Sequence, residues 1–135
     1  MNNSLGSLYF MKVFEKPSPR VRFVTFKALS VKQPWASMIA SGSKMIETRK
    51  WPTKYRGELI IVASKKPAIN NLPTGVTLCI TEIVDCQPMT SADEELARCE
   101  LYDGAYSWFL ANTRPIKHIP VKGQLGIYTI DLELP

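Results

Sequence analysis

The stretch VTLCITEIVDC, residues 76–86, is the most regular in this chain, and its reading decides the fold. Val76, Leu78, Ile80 and Val84 recur at every second position, the period of a β-strand with one apolar face. Glu82 falls in that same row. A carboxylate there is costly unless it is paired or lines a cavity. The pattern therefore gives Glu82 a cationic partner, Lys44 or Arg49, in either a structural ion pair or the floor of a polar pocket.

Outward from this strand, GELIIVAS (57–64) is a second, almost wholly apolar strand. The two are separated by KKPAINNLPTG (65–75), a loop with two prolines and a glycine. Further upstream, SKMIETRKW (43–51) and RVRFVTFKALSV (20–31) read as strands. Between them PWASMIASG (34–42) reads as a short helix. Pro34 takes its first position, Trp35, Met38 and Ile39 share one face, and Gly42 stops it. Trp35 is assigned to the core on that face, and Trp108 likewise within AYSWFLANT. Downstream, Ser91 and Glu94 have the spacing of a capping box opening the acidic helix SADEELARC. AYSWFLANT (105–113) and LGIYTIDL (125–132) close the domain, joined through PIKHIPVKG. Several short strands, two short helices and no regular βαβ alternation predict an α+β fold, a mixed and mainly antiparallel β-barrel. One domain is expected over residues 22–135, with 1–21 as a loosely attached arm ending in KPSPR and Met11 as an alternative start.

Composition is that of a globular protein, 45% hydrophobic and 21% charged. The net charge of +5 conceals an asymmetry. Residues 1–66 carry 13 Lys/Arg against 3 acids, whereas residues 67–135 carry 4 against 9. The basic half is either a face for polyanions or a solubilising surface. Cys79, Cys86 and Cys99 form no C-x-x-C pair, and the single His118 is distant from them in sequence. No metal site and no cofactor are expected, and three unpaired thiols fit a reducing cytoplasm. No apolar run reaches the roughly 20 residues of a membrane span, and the N-terminus lacks the pattern of a signal peptide.

The candidate site lies in SGSKMIETRKWPTKYRG, residues 41–57. Glu47 and Arg49 share a strand face about 6.8 Å apart, close enough to meet one ligand or each other. Strand alternation points Lys44 to the other face, but it lies just past Gly42, where the helix-to-strand turn can redirect it. Arg49 offers a bidentate fork and Lys44 a point charge. With Glu82 they suit a polar heterocycle or a nucleotide as well as an internal salt-bridge network. Around them Lys50, Lys54, Arg56, Lys65 and Lys66 alternate with Trp51 and Tyr55, a mixture that can hold a phosphate backbone and stack a base. Lys122 lies in PVKGQLGIY, a glycine-bearing turn that can approach a ligand.

These residues resemble the ASCH domain family, named for homology to the activating signal cointegrator. Its G-x-K-x-x-E-x-R motif is matched by Gly42, Lys44, Glu47 and Arg49. The flanking LSVKQPWASMIASG, RKWPTKYRGELIIVASKKP and RPIKHIPVKGQLGIY are similar to its cointegrator-like branch. The resemblance spans about Leu29 to Tyr128. It implies a PUA-like β-barrel with a cleft containing the motif, and RNA or another nucleic acid as partner. Lys44, Glu47, Arg49, Trp51, Lys54, Arg56, Glu82 and Lys122 are then the candidate binding residues. A branch of the family hydrolyses N4-acetylcytidine with a lysine, a threonine and a glutamate, and some members are described as ribonucleases. By position the lysine falls on Lys44 and the glutamate on Glu82, but the threonine falls on Glu47, with Thr48 beside it facing away. The alternatives to nucleic-acid binding are thus a small hydrolase of a modified nucleoside or RNA, using Lys44, Glu47 and Glu82, and a protein-interaction adaptor.

Overall fold

A computed structural model describes residues 22–134. The arm expected over residues 1–21, and Met11 within it, lie outside the described residues. The elements in chain order are β1 (Arg22–Val31), α1 (Trp35–Ser41), β2 (Ile46–Arg49), β3 (Gly57–Ala63), β4 (Thr77–Pro88), a 3-10 turn (Ser91–Asp93), α2 (Glu94–Ala97), β5 (Tyr106–Pro115) and β6 (Ile127–Leu134). The strands join in one sheet in the order β2-β5-β4-β3-β1-β6. β1 pairs with β3 in parallel, while β3–β4, β4–β5 and β2–β5 are antiparallel.

The described chain divides into two compact units. One is Phe26–Ile130, which carries both helices. The other consists, in its described part, of the strand ends Arg22–Thr25 and Asp131–Leu134, where Thr25 Oγ1 donates to Asp131 Oδ1 at 2.6 Å.

Within Phe26–Ile130 the main core forms on the sheet face that α1 covers. Leu29, Val31, Ala36, Ile39, Leu59, Ile61, Cys79, Ile83, Trp108 and Leu110 pack there, all buried. Burying each large side chain of this kind is worth about 1.5–3 kcal/mol. The reverse face of β3 is also covered, with Ile60 and Val62 buried. This explains why GELIIVA is apolar throughout rather than alternating. A second cluster, Ile46, Met89, Ala97 and Ala105, seats α2 against β2.

Three local expectations need correction. On β4 it is Cys79, Thr81 and Ile83 that are buried, while Ile80 and Glu82 are half-buried and Val84 is exposed. Register shifts between Ile80/Glu82 and Ile83/Asp85 interrupt the pairing with β5, so residue type along the strand does not identify its core face. On α1 the buried residues are Ala36 and Ile39. Trp35, at the first position, turns outward and is 39% exposed. The capping box comes one residue early, from Thr90 and Asp93 rather than Ser91 and Glu94. Glu94 instead accepts from the backbone N–H of Leu101 at 2.7 Å.

Candidate functional site

Gly42 ends α1 with φ +87°, in the left-handed region that glycine enters without penalty, and its N–H bonds Ile39 O. The Lys44 N–H then returns to Met38 O at 3.0 Å. This turn sends the Lys44 side chain inward, where it is only 3% exposed. Its Nζ donates to the Ala97 carbonyl of α2 and lies 3.7 Å from Glu47 Oε1.

Glu47, 6% exposed, accepts at its other oxygen from Arg49 Nε at 2.9 Å. Arg49 Nη2 donates to Ser30 O of β1 at 2.9 Å, and its guanidinium sits 5.6 Å from the centre of the Trp51 ring. Trp51 meets Trp108 edge-on at 6.4 Å, while Trp108 Nε1 donates to Trp51 O. One carboxylate therefore holds two cations, and the second cation supports an aromatic ring. Burial pushes the Lys44 pKa down; the charge of Glu47, the nearby Cys99 and hydrogen bonding of the ammonium to the Glu47 carboxylate oppose this, and Arg49 lowers it further.

The network forms the floor of a cleft of about 1520 Å³ lying wholly within Phe26–Ile130. Of the sequence-predicted residues, Lys44, Glu47, Arg49, Trp51 and Lys122 border it, and Lys50 and Lys65 join them. Lys54, Arg56 and Glu82 do not. Arg56 is drawn off to Asp85 at 3.8 Å and to the carbonyls of Thr53 and Tyr55.

Glu82 lies on the other face of the sheet. It pairs across the strands with Glu58, whereas Glu47 pairs with Trp108 on the α1 face. Its carboxylate accepts from Asn112 Nδ2 at 2.9 Å, and no cation among the described residues reaches it. The neighbouring cation, Arg114, goes to Glu58 instead. The expected Lys44 or Arg49 partner is absent because Glu82 is on the opposite face of the sheet from both, which pair with Glu47.

The cleft also contains residues that strand and helix periods hid. Trp35 lines it, as do Thr48, Cys99 and Tyr102. Thr48 was expected to face away. β2 is an edge strand, so side chains from both of its faces reach the cleft. The Thr48 hydroxyl and the Cys99 thiol are 3.7 Å apart there. Lys32, next to the start of α1, completes the basic rim. Among the described residues the cleft thus carries five lysines and Arg49 against a single carboxylate, Glu47. Among the described residues no cluster of metal-ligating side chains occurs, and no helix is long and apolar enough to cross a membrane.

A family model described as ASCH domain matches residues 29–120. The chain is 28% identical over 130 residues to activating signal cointegrator 1 of Homo sapiens, covering 78% of this chain and 22% of that protein. It is 26% identical over 130 residues to the same protein of Mus musculus, with the same coverage of both. It therefore spans about a fifth of the length of these relatives. The crystal structure of ASCH from Zymomonas mobilis superposes with a TM-score of 0.54 at 17% identity, covering 70% of this chain and 73% of that one. A mutant form of that protein gives 0.52 at 16% identity, over 70% and 75% of the two chains. At such identity the likeness carries the fold alone, and it agrees with the α+β, mainly antiparallel, PUA-like reading of the sequence.

Proposed function

Because the chain belongs to the ASCH domain family, we propose that it is a nucleic-acid-binding domain whose cleft holds single-stranded RNA. The observation that carries this is the cleft lining: among the described residues, six cationic side chains against one carboxylate, bordered by two half-exposed tryptophans. Lys32, Lys50, Lys65 and Lys122 are exposed and make no ion pair among the described residues. They are the groups to contact phosphates. Trp35 and Trp51 offer ring faces to bases, an interaction worth about 1–3 kcal/mol per base. Lys44 and Glu47 serve mainly to fix Arg49, whose Nη1 donors remain for a phosphate or a base edge.

The test is binding of a labelled short oligoribonucleotide. Lys65→Ala combined with Lys122→Ala should weaken it roughly five- to tenfold, whatever the sequence of the RNA. Lys54→Ala, outside the cleft, should leave it nearly unchanged. Absence of binding by the parent protein at low salt, or a double variant that binds as the parent does, would overturn the proposal. A preference for single-stranded DNA over RNA would reassign the ligand to that polymer.

A hydrolase acting on a modified nucleoside is the second reading. It is favoured by the lowered Lys44 pKa and by the Thr48 hydroxyl in the same cleft. Against it, Lys44 Nζ faces two acceptors, Ala97 O and Glu47, both of which are served by the ammonium form. We therefore expect no turnover of N4-acetylcytidine by the parent. Robust turnover abolished by Lys44→Ala would replace the binding reading with this one, and activity appearing only in Glu47→Thr would mark a scaffold lacking its nucleophile.

A further inference from the structure

Leu125 is 98% exposed, more than any other large apolar side chain among the described residues. An isolated surface leucine needs no explanation by itself. This one stands in the cleft lining, on a firmly held mount. The Val121 N–H donates to Gly75 O at 3.1 Å, and Ile119 O accepts from the Thr77 N–H at 2.9 Å. Gly123 lies so close to β1 that a Cβ there would stand 3.0 Å from Ser30 Oγ. Ser30 is itself fixed by a 2.8 Å hydrogen bond with Tyr128 OH. The loop is therefore seated at its base, with its apolar tip held free of the core. Trp35 and Trp51, 39% and 46% exposed, border the same cleft.

We propose that Leu125 is an apolar clamp for a nucleobase, gripping an unstacked base that one of these tryptophans stacks. The inference rests on the reading of the cleft as an RNA site and adds a specific contact to it. A leucine offers a phosphate or a ribose hydroxyl nothing, because it can only exclude water and make dispersion contacts. A base drawn out of its stack has two π-faces to cover. An aromatic ring suits one and an aliphatic side chain the other. Such a clamp accepts any base, since each has a π-face.

The experiment compares the parent protein and Leu125→Ser on two oligoribonucleotides of equal length and phosphate count, one intact and one with abasic central positions. The substitution should weaken binding of the intact RNA about fivefold, leave the abasic RNA unaffected, and leave the salt dependence and the thermal midpoint unchanged. Equal affinity of variant and parent for intact RNA would overturn the clamp while the RNA reading stands. Equal weakening on both RNAs would also overturn it, placing Leu125 against the backbone. If the parent binds neither RNA, the RNA reading fails and the clamp fails with it.

Discussion

Glu47 has two obligations. Its carboxylate lies 3.7 Å from Lys44 Nζ and accepts from Arg49 Nε at 2.9 Å, and among the described residues it is the only acid lining the cleft. Removing one partner of a buried ion pair costs more than the pair contributes, because the remaining charge stays desolvated. Glu47→Gln should therefore lower stability by about 3 kcal/mol at neutral pH in urea unfolding. The pH dependence has a definite sign. Lys44 is lowered below its ordinary 10.5 in the folded chain, chiefly by burial, and Glu47 is the main opposing influence. Between the folded value and 10.5 the unfolded chain binds the proton that the folded chain has released, so stability rises with pH in that window. Without Glu47 the window opens at lower pH. The deficit of Glu47→Gln relative to the parent should thus narrow as pH rises towards 10.5. A deficit that is constant with pH would show that Glu47 acts through packing rather than through charge.

At the scale of elements, the turn from α1 into β2 decides whether the site forms. Gly42 holds φ +87°, and a Cβ there would meet nothing within 4 Å, so any cost of substitution is purely one of backbone. Gly42→Ala should destabilise the protein by about 1–2 kcal/mol, and Gly42→Asn, which tolerates the left-handed region better, by less. Equal losses for the two in thermal unfolding would exclude this account. The same turn shows what the sequence makes legible. The helix and Gly42 could be read directly, because capping and φ constraints act within a few residues, although Pro34 is the N-cap and Trp35, not Pro34, takes the first helical position. Lys44, Glu47 and Arg49 followed from their place beside that turn. Glu82 could not be placed in the same way. Two register shifts on β4 and apolar cover on both sheet faces erase the alternation that would have separated its faces. Trp35 and Thr48 were misplaced for related reasons. The first position of a seven-residue helix obeys its periodicity weakly, and an edge strand gives access from both of its sides.

Over the whole molecule, charge is segregated along the chain, and the cleft samples that division unequally. Lys32, Lys50 and Lys65 come from the basic half, and Lys122 is brought to the same rim from the acidic half. Exposed lysines gain little from isolated contacts in water. Together they raise the local concentration of a polyanion and release its counterions when it binds. A single strand loses about 0.7 units of log–log slope per phosphate contact. Four such lysines should give log K against log salt a slope of about −3 between roughly 50 and 200 mM. Replacing all four with alanine should flatten the slope towards zero. Replacing Lys54 and Arg56 should change it by less than about one unit, because neither lines the cleft and Arg56 is already engaged by Asp85. The comparison distinguishes a built cleft from general surface charge. If both sets flatten the slope per charge removed to the same extent, the polyanion is held by the basic half as a whole. A parent slope near zero would mean that no phosphate is bound, and the cleft would then be a site for an uncharged ligand or a protein.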